Sequence, residues 1–230
     1  MVYLQDGWVM IDNAKIMRER DISEKFNDRW FLQMERVIDQ WNRDATDTED
    51  GYEVRVERFN YIAPQTMTKL ALGYLNPNYS ILDVGAGSGL VGKLLIEKGF
   101  SVDGIDFSDG MMKLANRRGY NNLIPADIRQ LDMLELVEQK HYHHIISVGV
   151  YGDFVDAEWV LPLYDVLYSN GVLAIGGEYY NLDGLSKILT DTGFEIKEET
   201  DNIGHYTECG FPKKYRYIVG IKQGLRDINS

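Results

Sequence analysis

Ile81-Leu82-Asp83-Val84-Gly85-Ala86-Gly87-Ser88-Gly89-Leu90 is the stretch that decides the fold of this chain. A short apolar run comes first, glycines at alternate positions follow, and the next residues have a helical pattern. Glycine lets the backbone approach a ligand closely and adopt positive φ angles, and the amino end of a helix favours negative charge. The stretch therefore predicts a buried strand, a ligand-binding turn and a helix, as at the start of a Rossmann-like α/β fold.

Apolar runs of strand length alternate with helical patterns over the rest of the chain, as far as Lys222. The predicted strands are Ser80–Val84, Ser101–Ile105, Asn122–Pro125, Tyr142–Val148, Val172–Glu178, Phe194–Glu199 and Lys214–Lys222. The predicted helices are Gly89–Lys98, Ser108–Arg118, Leu131–Glu138, Ala157–Leu167 and Leu182–Thr192. Strands that alternate with helices indicate a parallel sheet with helices on both faces. Because no helix separates the last two strands, we expect a seven-stranded, mostly parallel sheet with an antiparallel last strand.

The residues before the glycine-rich stretch have a different pattern. Residues 14–45 carry apolar side chains at spacings near three and four, which predicts a helix, whereas the polar residues 42–58 predict an exposed connection. Pro64 predicts the start of a helix that runs to Leu75. We therefore expect an N-terminal helical lid over residues 1–60, a core over 61–223 and a flexible tail over 224–230.

The charge of the chain limits its partners. The net charge of -12 repels phosphate backbones and acidic membrane surfaces, so we expect no nucleic-acid partner and no membrane association. The single cysteine, Cys209, excludes an internal disulfide, and no apolar run reaches the length of a membrane span. Because Met1 to Asn13 lacks a signal-peptide pattern, we expect a cytoplasmic protein. Its oligomeric state, monomer or homodimer, stays open.

Asp83, Leu90 and Asp106 narrow the ligand of the predicted turn. A carboxylate at Asp83 would be repelled by the pyrophosphate of a dinucleotide but attracted by the ammonium of a methionine moiety. Leu90 makes the glycine pattern G-x-G-x-G instead of G-x-G-x-x-G. Asp106 ends the next predicted strand about twenty residues further on, where a carboxylate can accept both ribose hydroxyls. These residues favour a ligand with adenosyl and methionine groups over NAD.

Asp83-x-Gly85-x-Gly87-x-Gly89 with Asp106 resembles the class I S-adenosylmethionine (SAM)-dependent methyltransferases. The segment Asp106 to Met112 is similar to the family's acidic loop, and Ala126-Asp127-Ile128 to its adenine-binding pair. Asn170 to Leu173 and Thr192 to Phe194 resemble the turns before its fifth and sixth strands. The resemblance implies a SAM site, with S-adenosyl-L-homocysteine (SAH) as the product. Its implied residues are Tyr61, Asp83, Gly85, Ala86, Gly87, Gly89, Asp106, Phe107, Met111, Asp127, Ile128, Ser147, Val148 and Gly149.

A shorter motif suggests a branch of this family. Tyr61-Ile62-Ala63-Pro64 resembles a group of small-molecule methyltransferases that includes the Williams–Beuren-region methyltransferase-like proteins. This resemblance implies that Tyr61 lies over the cofactor. It also implies O- or N-methylation of a small molecule by in-line transfer, in which the protein mainly aligns the reactants and excludes water.

The end of the fourth predicted strand and the last loops supply candidates for the acceptor side. We expect His205 and Tyr151 to be catalytic, with His205 as a candidate general base. The candidate substrate-binding residues are Tyr151, Asp153, Glu178, Tyr179 and His205. We expect no metal, because the histidines at positions 141, 143 and 144 begin a strand at the opposite end of the sheet.

Three other functions stay open at this stage. A protein methyltransferase would use the acidic surface to attract a basic tail, and a non-catalytic SAM-binding module would keep the same cofactor site. An NAD-dependent oxidoreductase is disfavoured by Asp83 and Leu90 and by the lack of a Tyr-x-x-x-Lys pair. The Asn/Asp-Pro-Pro-Tyr/Phe motif of enzymes that methylate exocyclic base nitrogens is also missing after Ser147.

Overall fold

The alternation of strands and helices is present in a computed structural model of the chain. It describes residues 2–4, 8–12, 15–18, 28–46, 51–128, 141–150, 160–178, 182, 184–208 and 211–224. The strands are β1 Val2–Leu4, β2 Trp8–Asp12, β3 Lys15–Arg18, β4 Ser80–Val84, β5 Ser101–Asp106, β6 Asn122–Pro125, β7 Tyr142–Val148, β8 Leu167–Glu178, β9 Phe194–Glu208 and β10 Phe211–Lys222. The helices are α1 Asp28–Asp44, α2 Tyr52–Arg58, α3 Ala63–Ala71, α4 Leu90–Ile96, α5 Asp109–Ala115, a 3-10 turn Asn116–Arg118, α6 Val160–Val166 and α7 Leu185–Thr192.

Within the described residues, seven strands form the main sheet in the order β6-β5-β4-β7-β8-β10-β9. Strand β10 runs antiparallel to both of its neighbours, and the other pairs are parallel. This arrangement confirms the predicted Rossmann-like sheet. Strand β5 pairs with one edge of β4, and β7, which follows later in the chain, pairs with the other edge. The carboxyl ends of β4 and β7 therefore flank the crevice where such folds bind ligands.

Two buried apolar clusters confirm that helices cover both faces of the sheet. Met67 of α3 packs in the same cluster as Ile81 of β4, and Leu189 of α7 packs in the other cluster with Leu82. Neighbouring residues of a strand point to opposite faces, which explains why Ile81 and Leu82 belong to different clusters. Both faces of β4 are therefore fixed by packing, and its carboxyl end is held in place.

The N-terminal residues differ from the sequence prediction. The helix expected from residue 14 begins at Asp28, and Lys15–Arg18 instead pairs with β2 in a separate three-stranded antiparallel sheet. The connection expected over 42–58 contains helix α2. This helix is held to α1 by the ion pair of Arg55 with Asp44, at 2.7 Å, and by edge-on packing of Trp41 against Tyr52. Such tertiary contacts stabilise a helix whose own sequence is too polar to indicate one.

The remaining predicted elements agree with the structure or lie outside its described part. The helix expected over Leu131–Glu138 and most of the 224–230 tail belong to residues that are not described. The helix expected from Ala157 is present as α6, and β8 already begins at Leu167. Over the described ranges, no helix is both long and apolar enough to cross a bilayer.

Candidate active site

The glycine-rich turn follows β4 at the carboxyl edge of the sheet. The φ angles of Gly85, Gly87 and Gly89 are 71°, 54° and 89°. Residues that carry a Cβ rarely adopt such positive φ angles. The backbone N–H groups of Gly85 and Ala86 donate to the carbonyl of Ile105, at 2.8 and 2.9 Å. The turn is therefore fastened to the neighbouring strand β5 as well as to its own strand.

Asp106 ends β5 and accepts hydrogen bonds from two loops. Its Oδ2 accepts the N–H of Gly87 and its Oδ1 accepts the N–H of Ser108, both at 2.8 Å. The residue is 8% exposed, and burial raises the pKa of its carboxyl group. Each carboxylate oxygen has a further lone pair, so this carboxylate can also accept two hydroxyls of a ribose.

Asp83 lies beneath the glycine-rich turn and is almost fully buried. The hydroxyl of Tyr120 donates to its Oδ2 at 2.6 Å, and burial raises the pKa of Asp83 to about 7. A Cβ on Gly92 would lie 2.0 Å from the Tyr120 hydroxyl oxygen, so glycine at this position makes room for the tyrosine. The carboxyl group is held from inside the protein, and its contact with a methionine ammonium stays a prediction.

Three tyrosines gather near the carboxyl edge above the crevice. The hydroxyl of Tyr215 donates to the hydroxyl of Tyr61 at 3.3 Å, and a Cβ on Gly149 would lie 2.9 Å from the Tyr61 oxygen. Burial raises the pKa of Tyr52, and Tyr215 and Asp106 raise it further by their negative charge when ionised. Tyr61 is therefore joined at this edge by Tyr52 and Tyr215, which the motifs did not identify as site residues.

The end of β7 closes the crevice from the other side. The hydroxyl of Ser147 donates to the carbonyl of Val84 at 2.9 Å, and the N–H of Gly149 donates to the carbonyl of Gly176 at 2.7 Å. A Cβ on Gly85 would lie 2.1 Å from a methyl group of Val150, so this valine packs directly on the turn. The side chain of Ser147 joins β7 to β4, and the cofactor contacts expected of Val148 and Gly149 stay predictions.

The structure also describes the residues that the resemblance assigns to adenine, and their role in binding it stays a prediction. Met111 of α5 is 2% exposed, and its N–H donates to the hydroxyl of Ser108 at 3.2 Å. The charge of Asp127 contributes to the raised pKa of Asp106, so these two carboxyl groups lie near each other. Ile128 is buried in an apolar cluster of the sheet. Phe107 follows Asp106 directly and is half-buried.

The acceptor side is described only in part. Glu178 ends β8 and forms an ion pair with Lys213 at 3.3 Å. Tyr151, Asp153 and Tyr179 lie outside the described residues. His205 belongs to β9 by its backbone, and its side chain is outside the described part. The roles expected for these residues therefore stay predictions.

The residues at the crevice fit an adenosyl ligand. Gly85, Gly87 and Gly89 have no Cβ atoms, which allows a ligand to approach the backbone of the turn closely. The oxygens of Asp106 match a ribose diol. Ser88, within the turn, is 1% exposed, and no partner for its hydroxyl lies among the described residues. A buried hydroxyl in this state has a hydrogen bond to offer a ligand.

The histidines of β7 lie at the amino end of the strand, away from the crevice. The ring of His143 stacks on Tyr79 with centroids 4.0 Å apart, and Nε2 of His144 accepts the N–H of Asn76 at 3.0 Å. Burial lowers the pKa of His144 to about 4, so its ring is neutral. No cluster of three or more metal-binding side chains occurs in the described part of the chain.

Comparison with known proteins agrees with the fold. The family described as "Methyltransferase domain" matches residues 81–171, which include the glycine-rich turn and Asp106. The ubiquinone biosynthesis O-methyltransferase of Rickettsia typhi is 28% identical over an aligned length of 192 residues, and the match covers 69% of this chain and 75% of that protein.

Two solved structures show the same fold. Magnesium protoporphyrin IX methyltransferase from Synechocystis PCC 6803, with bound SAH, superposes with a TM-score of 0.58 at 17% identity and covers 89% of this chain and 100% of that one. Ribosomal protein L11 methylase from Lactobacillus delbrueckii subsp. bulgaricus superposes with a TM-score of 0.52 at 19% identity, covering 72% and 79%. Since one name specifies a porphyrin and the other a protein, the fold alone does not define the acceptor.

This chain has the sheet order and the glycine-rich turn of a class I SAM-dependent methyltransferase, and its residues 81–171 match a methyltransferase domain. It is an enzyme, and its cofactor is SAM. The sequence-based identification of the family is thereby confirmed.

Proposed function

We propose that this enzyme methylates an oxygen or nitrogen atom of a small molecule. The observation that carries the proposal is the pair of phenols above Gly149, where the hydroxyls of Tyr61 and Tyr215 meet at 3.3 Å. Tyrosines offer a small, partly apolar acceptor both ring surface and hydrogen bonds. The net charge of -12 disfavours nucleic-acid acceptors, and the similarity to an O-methyltransferase of ubiquinone biosynthesis supports a small one.

The residues of the crevice would act mainly by alignment. When bound, SAM supplies a methyl group on a positively charged sulfur. Asp106 would hold the ribose, and the backbone from Val148 to Gly149 would line the path between the methyl group and the acceptor. Alignment of this kind lowers a barrier by roughly 7–11 kcal/mol, which explains why no strong catalytic motif is needed.

An acceptor that carries a proton must lose it as the methyl group arrives. We assign this proton to His205 as the general base, with Tyr151 as its partner on the acceptor side. Asp153, Glu178 and Tyr179 would orient the acceptor. The N-terminal residues 1–60 would cover the reactants as a lid, and residues 61–223 would form the catalytic core.

A methyl-transfer assay with labelled SAM tests this proposal. The acceptors are phenols and amines in one arm, and ribosomal proteins and total RNA in two others. We expect methyl transfer to a phenol or amine only, and we expect Asp106→Asn to abolish SAH binding in calorimetry. Asp191→Asn is the matched control, because that carboxylate lies on the exposed surface of α7, paired with Lys187.

Two results would contradict the proposal. Transfer to the protein or RNA arm alone would show that the acceptor is a macromolecule. Unchanged SAH affinity in Asp106→Asn would show that the cofactor is held elsewhere.

A further inference from the structure

Asn42, near the carboxyl end of α1, reaches the loop that follows β5. Its side-chain Oδ1 accepts the hydroxyl of Ser108 and the N–H of Gly110, both at 2.9 Å. The donors lie 66 and 68 residues further along the chain. One oxygen atom of the N-terminal extension therefore contacts both the residue that caps α5, Ser108, and the first turn of that helix.

This contact continues into the cofactor site. Ser108, whose hydroxyl donates to Asn42, also donates its N–H to Oδ1 of Asp106 at 2.8 Å. The other carboxylate oxygen of Asp106 accepts the N–H of Gly87 at 2.8 Å. A continuous series of hydrogen bonds thus runs from α1 through Ser108 and Asp106 to the glycine-rich turn.

The packing at Gly110 shows how closely α1 approaches. A Cβ on Gly110 would lie 2.9 Å from the Cβ of Ala45 and 3.1 Å from the backbone Cα and O of Asn42. Backbone atoms cannot move aside as a flexible side chain can. The absence of a side chain at Gly110 is therefore a condition for the Asn42 contact.

We propose that Asn42 is a positioning residue that orients the Asp106–Ser108 segment for the cofactor, so that docking of α1 and binding of SAM strengthen each other. The inference rests on the proposed role of Asp106 as the ribose ligand. Coupling between two binding events is reciprocal, since each must change the other by the same factor. Loss of the Asn42 oxygen should consequently weaken the cofactor, and the cofactor should hold α1 in place.

Calorimetric titration of the full chain with SAH tests the first half of the coupling. We expect Asn42→Ala and Gly110→Ala each to raise the Kd for SAH about tenfold, because the hydrogen bonds that Ser108 and Gly110 donate to Asn42 are lost. Asn42→Asp keeps an accepting oxygen and should stay within about threefold of the unaltered enzyme. Gln40→Ala, on the exposed surface of the same helix, is the control and should bind normally.

Trypsin cleavage tests the second half, because Arg36 and Arg43 of α1 are exposed. We expect SAH to slow cleavage after these residues in the unaltered enzyme and not in Asn42→Ala, a difference that a merely structural role would not produce. Normal SAH affinity in Asn42→Ala, equal losses in Asn42→Asp and Asn42→Ala, or no protection by SAH in the unaltered enzyme would each overturn the inference. If Asp106→Asn loses SAH while Asn42→Ala does not, only this inference fails. If Asp106→Asn binds SAH normally, the proposed cofactor site itself is wrong.

Discussion

Replacing Asp83 with asparagine tests the buried carboxyl group beneath the glycine-rich turn. Burial raises the pKa of Asp83 to about 7, from an ordinary value of 3.8. Between these two pH values the folded protein keeps the proton that the unfolded chain has already released. The contribution of this group to stability is therefore complete below pH 3.8 and is lost as the pH rises through 7.

The size of this effect follows from the difference between the two pKa values. At about 1.36 kcal/mol per pH unit, the difference corresponds to roughly 4 kcal/mol of unfolding free energy. The asparagine side chain of the variant would not titrate, although its amide would occupy similar space beside Tyr120. The stability of Asp83→Asn relative to the unaltered protein should thus improve by roughly 4 kcal/mol between pH 4 and pH 8.

Urea denaturation of the SAM-free protein at a series of pH values measures this difference. Asp191→Asn is the matched control, since the same chemical change at an exposed site should leave the pH dependence unaltered. A difference between Asp83→Asn and the unaltered protein that changes by less than about 1 kcal/mol over this range would refute the reasoning. The carboxyl group would then be as well solvated in the folded protein as in the unfolded chain.

Two further predictions concern other buried contacts. His144→Gln removes a titrating ring but keeps an acceptor for the N–H of Asn76. Burial lowers the pKa of His144 from 6.5 to about 4. The unaltered protein should therefore lose roughly 3 kcal/mol of unfolding free energy as the pH falls through this interval. Denaturation at pH 4 and pH 7 should show that loss reduced in the variant, and an equal loss in both proteins would contradict it. Gly92→Ala places a Cβ 2.0 Å from the hydroxyl oxygen of Tyr120 and should destabilise the protein by about 1–3 kcal/mol, whereas Gly73→Ala meets no atom within 4 Å. Thermal unfolding of the two variants should therefore differ, and similar melting temperatures would contradict the prediction.

Most of the central fold could be predicted from the sequence, because its strands are short apolar runs ended by glycines and aspartates. Ser80–Val84 and Tyr142–Val148 have the predicted bounds, and the glycine-rich turn lies where its spacing indicates. In such elements the local pattern and the tertiary burial agree. The same residues also predicted the family. Asp106 lies beside the glycine-rich turn because β4 and β5 are neighbours in the sheet.

The N-terminal residues could not be predicted in the same way. Helix α2 is polar, and its stability depends on contacts with α1 that no local pattern shows. Asn42 and Tyr215 were missed because their partners at the site lie far away in sequence, 66 residues in the contact with Ser108 and 154 in the contact with Tyr61. Tyr120 gave one indirect signal, the small residues Gly89 and Gly92 that leave room for its ring.

The position of β10 has a consequence for biosynthesis. Among the described strands of the main sheet, β10 is synthesised last, yet it lies between β8 and β9 and supplies hydrogen bonds to both. A nascent chain that ends before Phe211 can pair β8 with β7, but it leaves β9 without a neighbour in the main sheet. Until β10 emerges, two strand edges are exposed at once, and such edges pair readily with other chains. The emergence of β10 therefore completes this half of the sheet and also protects the edges of β8 and β9 from aggregation.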